Sequence, residues 1–214
     1  MFSTGSFFAM RYKKLQELYQ FVKSHCRVAI LKGPSGSGKS FFANLFYFYL
    51  LKVKKLKKSQ VFYMQARKEY SNYEKFFDYF NNETKLNFSS LHSMREDEYF
   101  FIIDEMHLLY SQEKFEILWN HVKHCSETNL SIDFVFCAVY SNRLAASSDN
   151  SSFVLADKYL SFDFLCFDEA EFTELLDNYH KHDKDSGHCE ISAGKKKILY
   201  EIFQGHPEFS FKAI

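Results

Sequence analysis

Apolar and polar positions divide the chain into short apolar runs that alternate with longer stretches of helical period. "RVAILKG" (Arg27 to Gly33) is β-branched and apolar and ends in glycine, the pattern of a buried parallel strand. An aromatic-rich helical stretch follows from Ser40 to about Leu56 and passes into "KVKKLKK". "QVFYMQA" (Gln60 to Ala66) predicts a second strand. Ser71 and Glu74 then form an S-x-x-E capping box ahead of "YEKFFDYF", where Tyr73, Phe76, Phe77 and Phe80 share one helical face. Residues Asn81 to Asp97 are polar and turn-like, and "EYFFIIDE" (Glu98 to Glu105) is the third strand. Ser111 is placed to cap a helix running to about His124, and "SIDFVFCAVY" (Ser131 to Tyr140) is the fourth strand. A loop rich in Ser and Asn (Ser147 to Ser152) precedes "YLSFDFLCF", read as the fifth. Asp168 and Glu171 make a second capping box for "DEAEFTELLDNYHKH". Helical pieces around Ile191 to Phe203 and from Pro207 onward complete the pattern.

Strands alternating with helices argue an α/β fold in which a parallel sheet is wrapped on both faces. A length of 214 residues suits one sizeable domain with a small lid. The closing "FKAI" runs out inside a helical pattern, so the natural chain is expected to continue past it. Lys+Arg and Asp+Glu balance at 27 each, so no global charge points to nucleic acid or a membrane surface. The 26 Phe and 14 Tyr supply a large aromatic core. The five cysteines (Cys26, Cys125, Cys137, Cys166 and Cys189) are scattered, and no C-x-x-C occurs. The start "MFSTGSFFAM" lacks a basic leader, and the apolar run "FFANLFYFYLL" is too short to span a bilayer. These features set the expectation of a cytoplasmic protein with reduced thiols and no membrane partner.

The stretch that carries chemistry is "LKGPSGSGKS" (Leu31 to Ser40), which fits G-x-x-x-x-G-K-[ST] at Gly33, Gly38, Lys39 and Ser40. Gly33, Gly36 and Gly38 allow backbone amides to point at phosphate oxygens with no Cβ in the way. The helix N-terminus at Lys39–Ser40 adds partial positive charge. Lys39 would reach the β- and γ-phosphates, and the Ser40 hydroxyl would bind Mg²⁺. A Gly/Ser loop that merely turns is the bland alternative, and it is weakened by the apolar strand before the motif and the helix after it. "FFIIDE" supplies the acids: Asp104 emerges at a strand end as the metal acceptor, and Glu105 would polarise an attacking water. Glu105 as no more than an acid at a helix start is the competing reading.

With these two elements in place, the chain resembles the additional-strand, catalytic-glutamate class of P-loop ATPases. Within that class it is similar to prokaryotic AAA-type and STAND-like ATPases of archaea and bacteria. "FFAMRYKKLQEL" is similar to their F-x-x-R-x-x-E/K-L opening motif, placing Phe8, Arg11 and Leu15. "LWNHVKH" resembles their third helix, "FDFLCFDEAEFTELL" their fifth strand and next helix, and "GHPEF" (Gly205 to Phe209) their G-x-P lid motif. The resemblance implies a three-layer αβα sandwich whose five-stranded sheet has the order 5-1-4-3-2, a P-loop core over residues 1–166 and a helical lid over 167–214. It implies Mg²⁺ and ATP as ligands. Nucleotide contacts would come from Gly33, Pro34, Ser35, Gly36, Ser37, Gly38, Lys39, Ser40 and Phe41, with Arg11 and with Pro207 leaning on the adenine. A γ-phosphate sensor is expected after the fourth strand, where "AVYSNRL" offers Ser141 or Asn142. Arg143, next to it, is read either as a transition-state arginine or as a surface arginine. Ring-forming motors of this type carry an arginine before the fifth strand, yet "SSDNSSFVLADKYL" holds none, only Lys158. That departure favours a slow nucleotide-dependent switch read by a protein partner or by self-association.

Other signals are weaker. "LKVKKLKKSQ" places five lysines in Lys52 to Lys58, which suits nucleic-acid phosphates but more commonly marks a solvated helix end. His180, His182, His188 and Cys189 have residue types that suit zinc but a spacing that matches no common structural site. Phe41, Phe42, Leu45, Phe46 and Tyr49 read as core packing behind the loop. The resulting expectation is an ATPase with slow turnover, the alternative being a DNA-associated AAA+ loader or motor subunit. A P-loop small-molecule kinase is disfavoured, because no arginine-rich lid is visible.

Overall fold

The third strand shows how the sequence builds the sheet. In "YFFIID", Phe101 and Ile103 face one side while Phe100, Ile102 and Asp104 face the other, and from Phe100 to Asp104 every residue is buried. A computed structural model of the chain describes residues 11–24, 27–66, 73–87, 91, 98–109, 120, 122–125, 131–139, 159–182 and 191–207. Among them, β1 (Val28–Gly33), β2 (Val61–Gln65), β3 (Tyr99–Asp104), β4 (Ile132–Val139) and β5 (Tyr159–Leu160) form one parallel sheet. Its order, β2-β3-β4-β1-β5, is the expected 5-1-4-3-2 read from the other edge. β4 thus lies between the strands that carry the loop and the acids.

Helices cover both faces. α1 (Tyr12–Ser24) and α2 (Lys39–Lys52) pack on the face that presents Ala29, Leu31, Phe100, Ile102, Val135 and Cys137. α3 (Tyr73–Thr84) packs on the other, through Phe76, Phe77 and Phe80. Phe42, Leu45, Phe46 and Tyr49 of α2 are buried and Phe41 is partly so, in agreement with their reading as core. On the α3 side the register turns the phenylalanines into a ladder. Phe62 lies opposite Phe101, and Phe101 opposite Phe134, with ring centroids 5.2 and 5.4 Å apart. Cross-strand aromatic pairs of this kind stabilise a sheet by more than their buried area.

α1 was absent from the pattern reading, although Leu15, Leu18 and Val22 are its buried stripe. The fifth strand is shorter than expected. Among the described residues only Tyr159 and Leu160 pair, with Ile30 and Leu31, and the chain then turns into a short helix, α4 (Phe162–Leu165). Polar Ser161 and Asp163 between apolar neighbours imitate strand alternation, but a helical turn buries Leu165 and sets Phe162 beside Gly33. The Asp168–Glu171 capping box is present: each backbone N–H donates to the other's carboxylate, at 3.0 and 2.8 Å. It opens α5 (Glu169–His182), which packs with α6 (Ala193–Phe203) around Phe167, Phe172, Leu175 and Leu176. The Ser71 box, the Ser111 cap and the loop Ser147 to Ser152 lie outside the described residues, as do His188 and Cys189. No described helix is long and apolar enough to cross a membrane.

Two buried charges tie elements far apart in sequence. Asp133 on β4 is fully buried and pairs with Lys23 of α1 and with Arg27, 3.4 Å away, while Lys23 also pairs with Glu98. Burial raises the Asp133 carboxyl above its ordinary range, opposed by Lys23 and Arg27. Arg11, just before α1, donates to the carbonyls of Leu165 (2.6 Å), Cys166 (2.8 Å) and Phe164 (3.3 Å), and its Nε to Glu171 (3.2 Å). Its guanidinium also lies over the rings of Phe42 and Phe167, at 5.0 and 4.8 Å. Arg11 therefore fastens the segment after β5 to the core. Replacement by Ala would strand those carbonyls and the half-buried Glu171, a loss of about 3–5 kcal/mol on the scale of broken buried pairs. Urea unfolding is expected to show that loss, with Arg11→Lys between wild type and Arg11→Ala because an ammonium cannot fork to several carbonyls.

Candidate functional site

β1 delivers Gly33 to the carboxyl edge of the sheet, and the chain then loops into α2. Ser37 N–H donates to Pro34 O at 3.3 Å, Gly36 and Gly38 take left-handed φ of 77° and 79°, and Phe42 N–H closes the first helical turn on Gly38 O at 2.8 Å. The glycines are required by space as well as by φ. A Cβ on Gly33 would stand 2.8 Å from Ser37 Oγ, and one on Gly38 would stand 3.2 Å from Pro207 Cβ. The G-x-P proline thus rests on the loop itself, as the chain folds back after α6. Gly205 is held at φ 67°, with its carbonyl accepting from Phe167 N–H at 2.8 Å, and a Cβ there would collide with Phe167 O at 1.9 Å. His206 packs on Phe162, ring centroids 4.8 Å apart.

Lys39 is buried, and its ammonium donates to Gly33 O (3.0 Å), Pro34 O (2.6 Å) and Ser37 Oγ (3.1 Å). Burial lowers its pKa, opposed by Cys137, Glu105 and Asp104. These three bonds fold the lysine back over its own loop, where an anion in the loop would compete for the same donor.

Asp104 ends β3 and is nearly inaccessible. Its Oδ1 accepts from Glu105 N–H at 2.8 Å and its Oδ2 from the Tyr63 hydroxyl at 3.1 Å. The same hydroxyl lies 3.5 Å from Ser40 O, so Tyr63 bridges the loop helix and the acidic strand end. Cys137 on β4 sits beneath both, with Sγ 3.9 Å from Lys39 O, and its thiol is pushed up by burial and then by Asp104. Burial and Asp104 likewise raise the Tyr63 phenol. Glu105 has φ 55° and ψ 29°, an uncommon backbone for a residue with a Cβ, and it opens the 3₁₀ turn Met106–Leu108. Its half-buried carboxylate lies 3.4 Å from His107 Nδ1.

Gly33 to Ser40, Asp104 and Glu105 are thus gathered at one end of the sheet, with Pro207 against the loop. Arg11 lies at some remove from the loop in its bonding, its donors directed to the carbonyls of 164–166 and to Glu171. Ser141, Asn142 and Arg143 lie outside the described residues. Tyr63 and Cys137 escaped the sequence reading; the strand order together with the β2–β3 register would have found Tyr63. The described residues hold no cluster of three or more His, Cys, Asp or Glu side chains arranged for a metal.

No family model matches the chain, and no curated protein does. Solved structures do match. Cdc6p from Pyrobaculum aerophilum aligns with 80% of the chain at 14% identity and TM-score 0.58. Domain III of the Thermotoga maritima replication initiation protein DnaA aligns with 99% at 13% identity and TM-score 0.56. The Aeropyrum pernix ORC1 protein, solved in complex with DNA, aligns with 94% at 14% identity and TM-score 0.56. The chain spans about half of the Cdc6p chain (49%), 57% of the ORC1 chain and 82% of the DnaA domain. The strand order, the flanking helices and these likenesses together establish the α/β fold of AAA+ P-loop NTPases.

Proposed function

We propose that this chain binds Mg·ATP at the loop Gly33–Ser40 and hydrolyses it slowly, as a switch whose nucleotide state is read by a partner. The observation that carries the reading is the convergence of the loop, Lys39 and Ser40 with Asp104 and Glu105 at one sheet edge, bridged by Tyr63. The residues suit the ligand: the glycine cradle has no room for side chains at Gly33, and a buried carboxylate waits beside the helix start. Ser40 and Asp104 would hold Mg²⁺, which when bound supplies positive charge against the phosphates.

The chain's own groups would do the rest. Backbone amides of Ser35 to Ser40 bind and orient the phosphates, and Lys39 leaves its loop carbonyls for the β- and γ-oxygens. Glu105 accepts the proton of the attacking water, while Asn142 and Arg143 serve as sensor and charge stabiliser near the γ-phosphate. Residues 1–166 form the core, and residues 167–214 a lid that reports occupancy through Pro207 on Gly38 and through Arg11. The absence of arginine from "SSDNSSFVLADKYL", the stretch that leads into β5, supports the switch over a self-sufficient ring motor.

ATP binding and phosphate release test this reading. Wild type is expected to bind and turn over ATP, Lys39→Ala to lose binding, and Glu105→Gln to bind while turnover falls about 10²–10⁴-fold, the range for a lost general base. Undiminished turnover in Glu105→Gln would refute the assignment of the base. Gly205→Ala should release the lid and weaken ATP binding with the loop sequence intact. An unchanged affinity would argue against the lid contact.

A second reading, a DNA-associated loader, is favoured by the fold shared with an initiator domain and with an ORC1 protein solved on DNA. Lys54 is engaged over the Tyr19 ring at 4.0 Å, whereas Lys52, Lys55, Lys57 and Lys58 are exposed. If those four grip phosphates, neutralising them lowers the salt dependence of DNA binding by about 0.9 per lysine in log–log slope. Fluorescence anisotropy with a duplex probe measures it, and no binding at low salt would eliminate this reading.

A further inference from the structure

The geometry points to Tyr63 as the residue that positions the Asp104 carboxylate for the metal. This role rests on the Mg·ATP reading and gives β2, which carries no part of either motif, a function in the site.

In the β2–β3 register Tyr63 lies opposite Ile102, two residues before Asp104 and on the same side of the sheet. A phenol is long enough to reach up one strand step, and the Tyr63 hydroxyl meets Asp104 Oδ2 at 3.1 Å. Its other neighbour, Ser40 O, is 3.5 Å away, so the proton is given to the carboxylate. The second carboxylate oxygen accepts from Glu105 N–H. With a hydrogen-bond donor on each oxygen, the carboxylate plane is fixed, and each oxygen keeps a further lone pair for a metal. The ring is held in turn by the edge of Tyr47, 6.4 Å between centroids, within the core under α2. Partners that orient a metal-binding carboxylate typically contribute about 10–100-fold to metal affinity or activity.

Tyr63→Phe keeps the ring and removes the donor. Metal affinity is read from the electron paramagnetic resonance signal of Mn²⁺ in the presence of a non-hydrolysable ATP analogue. Binding of the analogue alone is read in EDTA, and folding is read from the thermal midpoint. The expected result is Mn²⁺ affinity lowered about 10-fold or more, with EDTA binding and midpoint close to wild type and Tyr47→Phe unaffected. Wild-type Mn²⁺ affinity in Tyr63→Phe would overturn the assignment. So would an equal loss with and without metal, which would place Tyr63 in support of the loop rather than of the carboxylate. A wild-type chain that binds neither analogue nor Mn²⁺ would overturn the Mg·ATP reading itself, a result distinguishable from the other two.

Discussion

A buried carboxylate at the end of β3 is the constraint around which the site is organised. Removing such a group from water costs several kcal/mol unless its oxygens find donors. Asp104 finds them in the Glu105 amide and the Tyr63 hydroxyl, with the Lys39 ammonium and the Cys137 thiol close by. Each donor comes from a different part of the sheet edge. Satisfying one acid therefore fastens β2 to the end of β3 and goes with the uncommon backbone of Glu105. The price of that arrangement is local strain at Glu105.

The same economy operates at Arg11. Carbonyls of 164–166 leave the sheet edge because α4 replaces strand pairing, and one guanidinium collects them. Glu171, which caps α5, is shared with Arg11 and lies 3.5 Å from Lys14. The segment after β5 thus meets the sheet layer through a charged clamp on one side and Pro207 on Gly38 on the other. In the proposed switch, a change in the loop would reach α5 and α6 through either contact.

Much of this was legible in the chain. β1, β2, β3 and β4 are compact apolar runs, and the structure moves their ends by no more than a residue or so. The phosphate loop was legible because its glycines answer a local steric demand. β5 was overread, since Ser161 and Asp163 mimic alternation and only the sheet edge reveals where pairing stops. α1 escaped because its three buried residues are diluted among lysine and glutamine. Tyr63, Arg11 and Asp133 were beyond local pattern for one reason: their partners lie 41, more than 150 and more than 100 residues away. Asp133 in "SIDFVF" looks like a solvent-facing position, and only Lys23 and Arg27 arriving from elsewhere make it a buried one.

The central claim is that this sheet edge is a site for Mg·ATP. Calorimetric titration of ATP into the wild-type chain, once with Mg²⁺ and once with EDTA, tests it most directly. The account predicts a single saturating site whose affinity rises when Mg²⁺ is present. No saturable binding up to millimolar ATP in either buffer would contradict it.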